Sequence, residues 1–285
     1  MAGQGGWRRL ILGLIGAFTA FGVARAAAPD ALLPGHPGVT GLSLLRQVIA
    51  DLAPAADGGT LQGHLRRSLP NPAGKTYDGD APDPVTVNGV ETLRIVAGGH
   101  PRLVLMADLG QAEGQVASTT LLALFDDGPT PKLLDAVDVG LDRDTGFSEH
   151  PRLKLGPADE AVVTYSEHSN TSATYGAWMV LFVRHDRFAL AHLQFALSTR
   201  ACGWQDLEAP IFATRPDPGA QRPQIVVSVT ETLTNDGQDG CGDDVIPKPR
   251  KRVFHAVLRW NAARERFETV TSDLNRLDRL NRARF

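Results

Sequence analysis

The sequence predicts a mainly β fold: three tandem four-stranded antiparallel meander units, propeller-like or packed as a curved sandwich, with a short N-terminal helix and a short C-terminal helix. Three observations predict it. From residue 89 onward, β-branched and aliphatic runs alternate with turn residues. The runs fall into three sets of four. Corresponding runs also look alike: the second of each set reads LVLMADLG, AVVTYSEHS and IVVSVTETL, and the third ends in LALFDDG, VLFVRHDR and VLRWNAAR. The fourth then follows as KLLDAVDVG, FALAHLQFAL and FETVTSDL.

Taken in order, residues 1–26 read as an export signal. Arg8 and Arg9 make a basic start, Leu10 to Val23 an apolar centre, and Ala24-Arg25-Ala26 a small-residue cleavage site. The apolar run is shorter than the roughly 20 residues a bilayer-spanning helix needs. Cleavage after Ala26 is expected, leaving no membrane span and a periplasmic or secreted chain. Residues 27–89 form a leader. Within it Leu42, Leu45, Val48, Ile49 and Leu52 have the spacing of one helical face, which predicts a helix over 42–52 ended by Pro54. Residues 60–65 could add a strand. The stretch from Pro70 to Pro84 is rich in proline and glycine and reads as an extended strap.

Residues 90–285 form the β-repeat domain. Its strand candidates are 90–97, 102–109, 118–125 and 132–139; 150–155, 160–167, 174–184 and 188–197; and 207–213, 223–232, 252–260 and 266–271. Strand 177–183 is apolar at every position, which means burial on both faces. Ser272 can cap a closing helix whose Leu274, Leu277 and Leu280 share a face.

Composition excludes several classes. Hydrophobic residues at 42% and charged residues at 21% describe a globular chain. Lys and Arg total 29 against 32 Asp and Glu, a formal charge of -3, which argues against a nucleic-acid partner. The signal carries Arg8, Arg9 and Arg25 and no acid, so its removal takes the charge to -6. Two cysteines in an oxidising compartment predict a Cys202–Cys241 disulfide, worth about 4 kcal/mol in the chain-entropy model.

In a meander, connections alternate between the two ends of the sheet. One end is expected to hold tight turns. The other gathers the longer, polar segments 110–117, 140–149, 168–173, 198–206 and 233–251. That end carries Glu149, His150, Glu167 and His168, which pairing of 150–155 with 160–167 should bring together as acid, base and proton-shuttle candidates. It also carries both cysteines. Asp142 and Asp144, and Asp236 and Asp239 within NDGQDGCGDD, are candidate oxygen ligands for calcium. Gly237 and Ile246 break the EF-hand pattern, and the neighbouring Lys248, Arg250, Lys251 and Arg252 can neutralise these acids instead. No nucleophile elbow, zinc-protease or dinucleotide motif occurs, and no cofactor is implied.

On the repeated Leu-Val-Leu/Ile-Val-Val strand and the Leu-Phe or Arg-Trp hairpin strand, residues 90–271 resemble FG-GAP and VCBS-type β-propeller repeats, and in overall look exported proteobacterial proteins of unassigned function. The resemblance implies a repeated β architecture. The Phe-Gly and Gly-Ala-Pro motifs of those repeats are absent, so their calcium sites are not carried over. The function expected is an exported binding or interaction module for a protein or small ligand, acting through an acidic long-loop edge. The alternatives are a periplasmic hydrolase using the Glu/His rim and a structural envelope protein.

Overall fold

Each of the twelve strand candidates is a strand, and three short strands precede them in the leader. The computed structural model describes residues 27–56, 58–72, 81–201, 203–235 and 247–282. The leader holds helix α1 (Gly41–Leu45) and a three-stranded sheet of β1 (Ile49–Pro54), β2 (Leu61–Leu65) and β3 (Val85–Val87). A second sheet is the meander β4 (Glu91–Ala97), β5 (His100–Asp108), β6 (Thr120–Asp126) and β7 (Leu133–Asp138). The third has eight strands: β8 (Asp144–Lys154), β9 (Glu160–Ser169), β10 (Ala173–Arg184), β11 (Arg187–Ala201), β12 (Trp204–Arg215), β13 (Gln224–Asn235), β14 (Arg250–Asn261) and β15 (Arg266–Ser272). Helix α2 (Leu274–Arg282) follows. All strand pairs within the sheets are antiparallel and run in sequence order.

Alternation of side chains stacks these sheets in layers. In β6, Leu121, Ala123 and Phe125 join α1 and β1 to β3 in one core, while Leu122 and Leu124 enter another. That second core also takes Ala177, Met179, Leu181 and Val183 of β10. The opposite face of β10, with Val180 and Phe182, packs with Ile225, Val227, Val229, Phe254 and Leu258. Strand 177–183 is therefore buried on both faces, as its uniform apolarity predicts. Each large side chain buried there stabilises the stack by about 1.5–3 kcal/mol.

The three sets of four strands are not three sheets. β11 and β12 pair through Ser198↔Leu207 to Ala201↔Trp204, four pairs, and this seam joins the second and third sets into one sheet. The seam residues are mostly polar and read as a link in the sequence, yet a ladder is made by the backbone and does not require apolar side chains. The pairing is short beside the twelve pairs of β10 with β11 and of β12 with β13. Where it stops, the Glu208 carboxylate accepts the Leu197 backbone N–H at 3.0 Å. Asn281 of α2 donates to the same carboxylate at 2.9 Å, while Leu274 and Leu277 of α2 fill the core. Ser272, expected as the cap, is the last residue of β15, one position before the N-cap Asp273, and its hydroxyl accepts the Leu274 N–H at 3.2 Å.

The helix expected over 42–52 ends at Leu45, and Ile49 begins a strand. A β-bulge between Ala50 and Ala53, with Asp51 at φ 47°, explains the difference. It turns Ile49 and Leu52, three residues apart, to the same buried side, and that spacing mimics a helical face. The strap lies partly outside the described residues. The long-loop end is also shorter than expected: β9 and β10 are joined by 170–172 and β11 and β12 by 202–203, because the strands run on through polar residues.

Candidate functional site

The sheet seam sets up a cleft of about 610 Å³ between β8 and β12, above β9 and β10. Consecutive residues of β12, Leu207 to Phe212, line it, so the edge of that strand borders the cleft. β8 is the last strand of its sheet, and its residues around the break in the ladder between Phe147 and Arg152 form the other wall. Leu207 and Ile211, 45% and 61% exposed, give the β12 wall an apolar surface open to solvent.

The floor is aromatic. Trp178 and Tyr165 are cross-strand partners with ring centroids 4.5 Å apart and planes 33° apart. Gly176, two residues before Trp178, makes this arrangement fit: a Cβ there would lie 2.7 Å from the Trp178 ring and 3.0 Å from that of Tyr165. Both rings therefore lean along the sheet over Gly176, which sits directly across from Glu167. The Tyr165 hydroxyl donates to the Glu167 carboxylate. Burial, and then that carboxylate, push the phenol pKa well above its usual range, so the hydroxyl stays a donor.

Behind the β12 wall lies a charged cluster. Glu231 is fully buried and receives two hydrogen bonds from Arg252 and one from Arg250 at 3.0 Å. Arg250 also reaches Asp206 at 3.0 Å. Burial pushes the Glu231 pKa up, but the two guanidiniums outweigh it and hold the pKa at about 2. The cluster ties β12, β13 and β14 together at the end nearest the seam.

The expected acid and histidine rim divides into two places. Glu149 and His150 are exposed on β8, within the irregularity of its pairing, and line the cleft. Glu167 pairs across the strands with Asp144, not with Glu149. From the level of Val163, opposite the irregular stretch, to Glu167 is four strand residues, or roughly 13 Å. The four residues thus do not converge on one reacting centre. The irregular pairing accounts for this, because it leaves Glu149 and His150 without cross-strand partners. His168 instead takes the Asp142 carboxylate at 2.5 Å through Nδ1 and stacks on Tyr175 with centroids 4.9 Å apart.

Asp142 is thereby committed to His168, and Asp144 lies beside Arg143, Tyr165 and Glu167 around a smaller hollow. Among the described residues no group of three or more histidine, cysteine or acidic side chains has metal-holding geometry. Asp236, Asp239, Cys202 and Cys241 lie outside the described residues. Among the same residues no helix is long and apolar enough to cross a membrane.

Sequence reasoning passed over three features. The aromatic floor was signalled by the Gly-x-Trp spacing of Gly176 and Trp178. The Glu231 cluster was signalled by an acid in register with Ile225, Val227, Val229 and Leu233 on the buried face of β13. The third is His64 on the leader sheet, whose Nδ1 lies 2.8 Å from Asp51 at the bulge and whose Nε2 lies 3.6 Å from Asp83. Nothing in the spacing of these three residues could have joined them. Comparison with known proteins returns no match to a family model, a curated protein or a solved structure.

Proposed function

We propose that the chain is an exported binding module that takes its ligand in the cleft between β8 and β12. The cleft itself carries the reading. Its volume lies in the range of ligand sites, its floor is aromatic, and a few polar groups stand at its rim. The site proposed is thus the cleft rather than the acidic end of the sheet. The export signal, cleavage after Ala26 and the Cys202–Cys241 disulfide belong to the same proposal, as does the derivation of β4–β7, β8–β11 and β12–β15 from one repeated meander. The four-pair seam between the last two sets supports that derivation.

The test is a titration with an apolar fluorescent dye, 8-anilinonaphthalene-1-sulfonate, of the wild-type chain and of Ala209→Trp. Ala209 is exposed on the β12 wall, and an indole there would fill the cleft. Saturable binding in the wild type and its loss in the variant are expected. Equal binding by both proteins would overturn the proposal. Export is checked by sequencing the N-terminus of the protein from the periplasmic or culture fraction, which should begin at Ala27. A thiol assay on denatured, unreduced protein should find no free thiol.

A second reading, hydrolysis, is favoured by one observation: Glu149 and His150 adjoin on the cleft wall. A turnover in a broad hydrolase screen that disappears in Glu149→Gln, with an unchanged melting midpoint, would replace the binding reading.

A further inference from the structure

The cleft floor is a platform, and its borders narrow the chemistry of what it can hold. Trp178 and Tyr165 lie over Gly176, and across the next strand pair Tyr165 faces Gly146, so no Cβ covers it from the β8 side. The Tyr165 hydroxyl is anchored to Glu167, which fixes the ring in place. The two half-buried rings stack on each other, and both line the cleft, so the pair meets it as one aromatic unit. The negative face of an aromatic ring attracts polarised C–H bonds, and the ring stays rigid on binding.

Polar groups flank the platform on both sides. Toward the open cleft stand Glu149 and the cross-strand pair Thr174 and Ser198. On the far side of Tyr165 a second hollow of about 300 Å³ presents Arg143, Asp144 and Glu167. An apolar platform bordered by hydroxyl, carboxylate and guanidinium groups matches a ring with C–H bonds on its faces and hydroxyls around its perimeter. The same borders disfavour an added peptide strand. Pro151 lies in β8 within the break in its ladder and Pro210 stands in the β12 wall, each lacking a backbone donor.

We infer that the ligand is a carbohydrate, with one pyranose ring packed against the Trp178–Tyr165 pair and the next sugar reaching the hollow bordered by Arg143 and Asp144. The inference rests on the cleft being the binding site. It commits the platform to stacking and the rim to hydroxyl recognition.

The experiment is retention of the processed full chain on insoluble cellulose, chitin, xylan, mannan and peptidoglycan sacculi, run beside the dye titration. Retention on at least one of these is expected, with at least a 10-fold loss in both Trp178→Ala and Ala209→Trp. The second variant alters an exposed position and keeps the test valid should Trp178→Ala fold poorly. Retention on none of them while the dye still enters the cleft would overturn the carbohydrate assignment and leave the cleft standing. Failure of the dye to enter would overturn both. Retention unchanged by either variant would place the sugar elsewhere and overturn the inference as well.

Discussion

Glu231→Gln tests how the β12 wall is held. The native carboxylate has its pKa lowered from 4.5 to about 2, because hydrogen bonds from Arg252 and Arg250 outweigh the cost of burial. A depression of that size corresponds to about 3 kcal/mol of folding free energy above the unfolded-state value. Arg250 and Arg252 remain 37% and 29% exposed, so water screens the pair, and about 2 kcal/mol is the better figure. Since the folded-state pKa is the lower one, this contribution is complete above pH 4.5 and disappears as pH falls toward 2. Urea unfolding at pH 7 should show Glu231→Gln destabilised by about 2 kcal/mol. Between pH 4.5 and 2.5 the wild type should lose stability more steeply than the variant, and the two curves should converge. A variant within about 0.5 kcal/mol of wild type at pH 7, with a parallel acid curve, would refute the reasoning.

Three further outcomes follow from the same structure. Leu277→Ala, at a fully buried position of α2, should cost about 3 kcal/mol by removing the helix's main anchor in the core, read as a lower urea midpoint. Gly176→Ala should displace both floor rings, costing about 1–3 kcal/mol in stability and altering the near-ultraviolet dichroism of Trp178 and Tyr165. With Asp142 paired to His168, a thermal melt should show the same midpoint with and without chelator, and a midpoint lowered by chelator would restore calcium as a ligand.

The strands were legible because buried alternation writes itself into the sequence. Ile225, Val227 and Val229 announce β13, and the doubly apolar run from Ala177 to Val183 announces a strand between two layers. What was not legible depended on the backbone. The bulge at Asp51 made a strand look like a helix, and the polar seam 198–207 made one sheet look like two. The irregular β8 pairing moved Glu149 and His150 away from Glu167 and His168, so residues that seemed one rim are two. The aromatic floor needed the register of β9 on β10 before Gly176, Trp178 and Tyr165 could be seen as one surface. Likewise, Glu231 met Arg250 and Arg252 only through the pairing of β13 with β14.

The most direct test of the cleft as the binding site is the indole N–H spectrum of the 15N-labelled chain during titration with 8-anilinonaphthalene-1-sulfonate. The Trp178 resonance should shift and saturate with the fluorescence signal, while Trp204 and Trp260 stay in place. A saturating fluorescence signal with Trp178 unmoved would contradict the account.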